Sequence, residues 1–172
     1  VTEIDMAGKK LSFSNGNTAE FEKLVSSIPL PALLPLIKDA PQEVLDAAAL
    51  LSCSQVALIN IGLNKPHVSD HHWTYFYDED ICFSRLSFPH MFSPKVVPEG
   101  HSAIQAEIYF SDKWKPLTGT VEDWIEPTIE ALIRCGYIKD RSEIVHTSTL
   151  FAPWGNVIFD HDRPRCLKIV HD

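Results

Sequence analysis

The chain has 172 residues, of which 45% are hydrophobic and 22% are charged, so its composition is that of a folded globular protein rather than a disordered one. Its net charge is −8, and Lys and Arg are nowhere clustered, which excludes nucleic-acid binding through a basic surface. The apolar runs fall short of the roughly 20 residues that span a bilayer, so no membrane segment is predicted. We expect one domain, residues 1–172, with a sizeable core.

Three extended runs are predicted at the beginning of the chain. Residues 1–6 and 9–13 have the pattern of a β-hairpin turning at Ala7-Gly8, and a second turn follows at Asn15-Gly16. The third strand is predicted at 21–28, where a Pro-Leu-Pro segment stops strand pairing. The sequence therefore indicates a small antiparallel meander.

A helical segment and a buried strand come next. Residues 30–37 suit a short apolar helix or turn, and 41–51 suit a helix with Pro41 at its first position. We expect this second helix to pack on a sheet through an apolar stripe formed by Val44, Leu45, Ala48 and Leu51. Residues 55–63 are nearly all apolar and predict a central strand with both faces covered, in which Asn60 is the only interior polar group.

The segment from His71 to Pro94 contains the most unusual chemistry. Residues 73–77 predict a strand with Trp73, Tyr75 and Tyr77 on one face, and the acidic run 78–80 predicts a turn. A second strand is predicted at 81–88. Alternation would place Phe83, Arg85 and Ser87 on one of its faces and Cys82, Ser84, Leu86 and Phe88 on the other. An arginine in such a strand needs an anion or a partner, because an unpaired buried guanidinium is costly.

Two clusters of titratable residues contain residue types that occur at chemical sites. His67, Asp70, His71 and His72 contain metal-ligand residue types, but adjacent histidines point to opposite sides of an extended chain, so a solvated loop is favoured and no metal site is predicted. The acidic run 78–80 could supply paired carboxylates for acid-base work, but such triplets at strand ends are usually turns.

The second half of the chain alternates strands and helices. A loop is predicted at 89–100, a cleanly alternating strand at 103–111, and a helix at 120–135 whose start Pro127 kinks or delays. A further strand at 143–151 and a final helix at 165–171 complete the pattern. The predicted fold is α+β, with a mixed, largely antiparallel sheet and helices packed on one face.

If the strands are neighbours, one sheet face gathers a set of aromatic and polar side chains that resembles a ligand wall: Trp73, Tyr75, Tyr77, Arg85, Ser87, Gln105, Glu107 and Tyr109. The alternative is that Arg85 pairs across strands with Glu107 and the aromatic rings pack beneath helices. The candidate substrate-binding residues on this face are Trp73, Tyr75, Arg85, Ser87 and Tyr109.

Common catalytic and cofactor motifs are absent from the sequence. It has no nucleophile elbow, no P-loop and no GxGxxG, and its seven glycines are scattered, so no dinucleotide-phosphate turn can be built from them. The four cysteines lie in separate apolar segments without a CxxC pair, and no signal peptide precedes Val1. Reduced thiols and a cytoplasmic location are therefore expected.

Four short segments resemble a known family: KLVSSIPLP at 23–31, INIGL at 59–63, WTYFYDED at 73–80 and RLSFP at 85–89. Together they look like the middle part of a flavin-dependent amine-oxidase-type protein, in the branch with protoporphyrinogen-oxidase-like and UDP-galactopyranose-mutase-like proteins. In that superfamily a two-part FAD domain brackets an inserted substrate domain, and this chain resembles the insert over nearly its whole length. Both ends look cut, which fits an excised domain.

The resemblance implies a function that the residues alone do not. FAD would be held by parts of a parent protein that this chain lacks, so no cofactor is expected here and the chain alone would be inactive. In relatives, the segment matching 26–31 returns toward the FAD domain, which makes Ser27 and Pro29 candidate cofactor-binding residues. The sheet face bearing Trp73 and Arg85 would front the substrate.

An arginine on a substrate-facing sheet suits an anionic small molecule such as a pyrophosphate or carboxylate, because the guanidinium can donate two parallel hydrogen bonds. Trp or Tyr would add a stacking surface. The competing interpretation is a ligand- or protein-binding module with no enzymatic parent, whose aromatic face is a contact surface. The sequence names neither a substrate, a catalytic residue nor an oligomeric state.

Overall fold

The computed structural model describes residues 1–171 and has the α+β composition predicted from the sequence. The chain forms two compact units. The first contains residues 1–53 together with those from 157 onward, and the second contains Ser54–Asn156. The assignment of 1–172 as one domain stays a prediction.

The first unit begins with a three-stranded antiparallel meander of β1 (Glu3–Asp5), β2 (Lys10–Ser12) and β3 (Thr18–Glu20). The prediction of the third strand at 21–28 is wrong. A tight turn in which Gly16 has φ +81° returns the chain at once, so Thr18 already pairs with Ser12. Residues 22–28 are exposed and form no strand.

Helices make up the rest of the first unit. The short α1 (Leu30–Leu33) continues into a 3-10 turn at Leu34–Leu36, as predicted, and is followed by α2 (Gln42–Ala49) and α5 (Arg163–His171). The buried side of α2 packs on α5, where Ala47, Leu51 and Cys166 form a small apolar cluster. The prediction that this helix packs on a sheet is wrong, because its buried side contacts other helices: α5, and α1 with the 3-10 turn that follows it.

The second unit is built on a five-stranded sheet in the order β5-β6-β7-β4-β8, in which every strand pairing is antiparallel. The expectation of a mixed sheet is therefore corrected. Strand β4 is central, as predicted. The strands are β4 (Gln55–Leu63), β5 (Trp73–Tyr75), β6 (Arg85–Ser87), β7 (Ser102–Phe110) and β8 (Ile144–Ala152).

One face of this sheet is the core. On β4 and β7 the alternating apolar residues Ala57, Ile59, Ile61, Leu63, Ile104, Ala106, Ile108 and Phe110 are buried. The helix α4 (Ile125–Arg134) covers them with Ile129 and Leu132. Phe83 also lies in this core beside Phe88, so its prediction on the Arg85 face is wrong. Strand β6 begins only at Arg85, and strict alternation does not hold before a strand starts.

Local signals set the ends of α4. The Thr120 N–H donates to Asp123 Oδ2 at 2.7 Å, a 3-10 turn occupies Glu122–Trp124, and α4 begins two residues before Pro127, so the predicted late start is confirmed. Gly136 follows the helix with φ +79°, a conformation in which other residues are strained.

The connection from β6 to β7 contains α3 (Pro89–Phe92) and a 3-10 turn at Pro94–Val96. Cys82, Cys135 and Cys166 carry no disulfide. None of the helices formed by residues 1–171 has the length and apolar run that a bilayer crossing requires.

Candidate functional site

The second face of the five-stranded sheet, opposite α4, carries polar and aromatic side chains; we name it the open face. Residues that pair directly across antiparallel strands share a face, and the register therefore aligns two rows across all five strands. The first row is Tyr75, Arg85, Glu107, Leu58 and Leu150; the second is Trp73, Ser87, Gln105, Asn60 and Ser148.

Arg85 lies at the centre of the first row. Its Nη2 donates to Glu107 Oε1 at 2.5 Å, and its Nη1 donates to the Tyr75 hydroxyl at 3.3 Å. The guanidinium carbon lies 5.7 Å from the centre of the Tyr75 ring, within the range of a cation–π contact. The hydrogen bond to Glu107 raises the pKa of Arg85 above its ordinary value, so the side chain is always charged.

The two members of this ion pair differ in exposure. The Glu107 side chain is 6% exposed and the Arg85 side chain is 33% exposed. Arg85 Nε is buried and has no hydrogen-bond partner. A buried donor without a partner is costly, and this nitrogen is inaccessible to a ligand as well. The terminal nitrogens Nη1 and Nη2 carry four N–H groups, of which two donate to Glu107 and Tyr75, so the remaining hydrogen-bonding capacity of the guanidinium lies there.

Tyr109 completes the group around Glu107. Its hydroxyl donates to Glu107 Oε2 at 2.7 Å, so each carboxylate oxygen of Glu107 accepts one hydrogen bond from a neighbouring side chain. Burial, with the hydrogen bond to Glu107 adding to it, raises the pKa of Tyr109 to about 12. The group is thus neutral overall at physiological pH: one cation, one anion and two phenols.

In the second row, uncharged polar side chains of neighbouring strands contact one another. Gln105 Nε2 donates to Asn60 Oδ1 at 2.8 Å, and Asn60 Nδ2 lies 3.5 Å from Ser148 Oγ. Asn60, the interior polar residue noted in the sequence, is therefore explained by its place on the open face. The prediction that both faces of its strand are covered is wrong, because Asn60 and Leu58 remain partly exposed.

A depression of about 660 Å³ lies over the first row. Its volume is within the range of small-molecule sites. It is lined by Val56, Leu58, Tyr75, Arg85, Gln105, Glu107, Tyr109, Ala152, Gly155 and Asn156.

The structure brings three of the candidate substrate-binding residues together. Tyr75, Arg85 and Tyr109 line the depression. Trp73 and Ser87 belong to the second row and lie outside the lining; the Trp73 ring stacks on Phe92 with centroids 6.1 Å apart. That all five residues bind substrate stays a prediction.

The alternative prediction for this face had two parts. The cross-strand Arg85–Glu107 pair is confirmed, but the prediction that the aromatic rings pack beneath helices is wrong. The aromatic rings of Trp73 and Tyr75 are exposed and not packed beneath helices. Sequence reasoning placed Gln105 and Glu107 on this face without choosing them as site residues. It missed Gly155 and Asn156 altogether, because no pattern in the chain shows that β8 pairs with β4.

The two other groups of candidates lie elsewhere. Ser27 and Pro29 are exposed residues of the first unit just before α1, and their role in cofactor binding stays a prediction. His67 Nε2 lies 3.3 Å from Asp70 Oδ1, and the His72 ring contacts Phe92. Within residues 1–171 no three His, Cys, Asp or Glu side chains come together as metal ligands would.

No protein-family profile matches the sequence. Among solved structures, reduced UDP-galactopyranose mutase matches with a TM-score of 0.83 and 24% identity, over 98% of this chain and 36% of that one. An oxidoreductase from Methanosarcina mazei has a TM-score of 0.59 and 14% identity over 86% of this chain and 37% of its own. A protoporphyrinogen oxidase-like protein from Exiguobacterium sp. 255-15 has a TM-score of 0.59 and 14% identity, over 95% of this chain and 37% of its own.

This chain therefore spans little more than a third of each of those proteins. At such identities the likeness concerns the fold, and at that level it confirms the resemblance stated from the sequence. The α+β arrangement of a short meander, helices and an antiparallel sheet is one that a mutase, an oxidoreductase and an oxidase-like protein contain as part of a longer chain.

Proposed function

We propose that this chain is the substrate-binding part of a flavin-dependent oxidoreductase or mutase, with the open face as the wall that meets the substrate. The observation that carries the proposal is the Arg85 group. A charged guanidinium that is 33% exposed lines an open depression, and its two terminal nitrogens carry four N–H groups, of which Glu107 and Tyr75 accept two. The likeness to UDP-galactopyranose mutase over 98% of the chain supports the same reading.

FAD, in this proposal, belongs to a longer parent protein. The pyrophosphate group of FAD usually binds to a glycine-rich turn that leads from a strand into a helix. The glycines of residues 1–171 do not fit that role: Gly16, Gly100, Gly119 and Gly136 have positive φ in turns and loops, and Gly62 lies within β4. In this proposal these glycines do not receive the flavin pyrophosphate, and the open face serves the substrate.

The charges and hydrogen-bond donors that line the depression limit the kind of substrate group that can bind there. Because Glu107 neutralises Arg85, an anionic group would be held by directed hydrogen bonds from Arg85 and the phenols more than by net charge. Binding should therefore depend only weakly on salt concentration, in contrast to binding at an unpaired arginine. A phosphate or carboxylate group, as in a nucleoside diphosphate sugar, meets these conditions.

The absorbance spectrum tests the division of roles between this chain and a parent protein. The purified 172-residue chain should be folded and colourless, whereas the longer protein that carries it should show a flavin spectrum. Arg85→Ala in that longer protein should leave its FAD content unchanged and weaken substrate binding. Flavin that co-purifies with the 172-residue chain, or a longer protein without flavin, would overturn the proposal.

A non-enzymatic binding module is the second candidate, favoured by one observation. Trp73 and Phe92 form an exposed stacked pair at the end of the second row. Exposed aromatic residues of this kind are enriched at protein interfaces. If this candidate is correct, Trp73→Ala would abolish partner binding while Arg85→Ala would change no small-molecule affinity.

A further inference from the structure

A second cavity, mainly apolar and of about 370 Å³, lies at one end of the open face. Strands β4, β7 and β8 supply its floor, and the connection between β6 and β7 supplies a wall of Val96, Val97 and Pro98. Val145 of β8 also lines the cavity, and the polar residues at its border include His101 and His146. This cavity shares no lining residue with the Arg85 depression.

Hydrogen bonds within the wall hold it in place. The Ser93 hydroxyl accepts from the Lys95 N–H at 3.3 Å, and the His101 N–H donates to the Pro98 carbonyl at 3.1 Å. His101 Nδ1 lies 2.9 Å from the Glu99 carbonyl, which can only accept, so Nδ1 carries the proton and donates. The wall is therefore preformed, and Nε2 of a neutral His101 is left as an acceptor.

The two cavities are neighbours on the open face. Gln105 borders the first, Asn60 borders the second, and the two side chains are hydrogen-bonded to each other. Along β4, Leu58 lines the first cavity and Gly62 the second, four residues and therefore about 13 Å apart. The Gln105–Asn60 pair forms a low polar ridge between them.

We propose that the ligand of the open face is amphiphilic, with a polar or anionic group at Arg85 and an apolar group in the second cavity. Its middle would cross the Gln105–Asn60 ridge. The assignment rests on the proposed function, because it extends the same ligand beyond the first depression. A cavity walled by valines and proline gains affinity from hydrocarbon that leaves water, at about fourfold for each buried methylene.

Alkyl phosphates test this extension directly. Calorimetric titration of the chain with hexyl phosphate and decyl phosphate, both below micelle-forming concentration, should show decyl phosphate binding at least about tenfold more tightly. Val96→Asp and Val145→Asp should remove that difference, because each places a charge in the apolar wall. Both valines are exposed, 57% and 55%, so neither substitution threatens the core.

Val157→Asp is the matched control, since Val157 is 47% exposed and lies outside the cavity; it should leave the difference intact. A preference for decyl phosphate that survives in both wall variants would overturn the amphiphile assignment. The proposed function is tested separately by Arg85→Ala, which should weaken both phosphates about equally. If Arg85→Ala changes neither affinity, the Arg85 site is wrong, whatever the wall variants show.

Discussion

Arg85 on β6 lies directly opposite Glu107 on β7, and the two side chains form a hydrogen-bonded ion pair at 2.5 Å. The carboxylate is nearly inaccessible while the guanidinium is partly exposed. Such a pair fixes the direction of the arginine, because Glu107 holds Nη2 and Tyr75 holds Nη1, and the side chain remains 33% exposed where it lines the depression. The pair is therefore both a structural element and the means of presenting Arg85.

The energetic coupling of this pair is the first prediction. Arg85→Met should lower the free energy of unfolding by about 2 kcal/mol, because it leaves the Glu107 carboxylate buried with Tyr109 as its remaining partner. The double variant Arg85→Met/Glu107→Leu should be less destabilised than the two single variants summed, since it leaves no unpaired charge. Urea denaturation of the four proteins measures the coupling.

The exposed pair of Arg141 and Glu126, 2.5 Å apart with side chains 51% and 64% exposed, is the control for that cycle. Its coupling should be below about 1 kcal/mol, because solvent screens an exposed pair. Equal coupling energies for the two pairs would contradict the assignment of Glu107 as a buried partner.

Tyr109 gives a prediction for alkaline pH. Its pKa is raised from 10.0 to about 12 in the folded state. The unfolded chain therefore releases this proton first, and the contribution of Tyr109 to stability is complete below pH 10 and lost as the pH rises toward 12. Tyrosinate absorbance should show one late-titrating tyrosine, absent from Tyr109→Phe. A difference between the two titration curves with its midpoint near pH 10 would refute the shift.

Two leucines distinguish the core from the open face. Leu132 on α4 is fully buried, and Leu150 on β8 is 58% exposed at the end of the first row. Leu132→Ala should cost about 2–5 kcal/mol of stability through lost burial and a cavity. Leu150→Ala should cost less than about 1 kcal/mol, as is usual for surface substitutions. Chemical denaturation checks both, and a similar cost for the two would mean that the open face is not open.

The alternation of side chains along a strand predicted the face that each residue occupies correctly where the strands are long. On β7 the sequence places Gln105, Glu107 and Tyr109 on one face, and the structure agrees because nine paired residues hold the period of two. It failed around Phe83, since only three residues of β6 are paired and the backbone before them is irregular. In a short strand, too few residues are paired for the alternation of side chains between the two faces to predict which face a neighbouring residue occupies.

The position of one strand beside another was harder to predict. Strand β8 was expected within one residue of its observed limits, but its pairing with β4 joins residues about 90 positions apart, for which the sequence has no local signal. Three of the ten residues that line the depression, Ala152, Gly155 and Asn156, were therefore missed. The packing of α2 on α5 was missed for the same reason, because an apolar stripe shows that a helix has a partner and not which one.

Ligand binding at Arg85 tests the central claim most directly. Calorimetric titration with hexyl phosphate should compare the unmodified chain, Arg85→Ala, and Arg141→Ala as an arginine in an ion pair away from the depression. We expect Arg85→Ala to weaken binding by about tenfold or more, the value of a hydrogen bond to a charged group, and Arg141→Ala to bind as the unmodified chain does. Equal affinities for all three proteins, with each shown to be folded, would contradict the account.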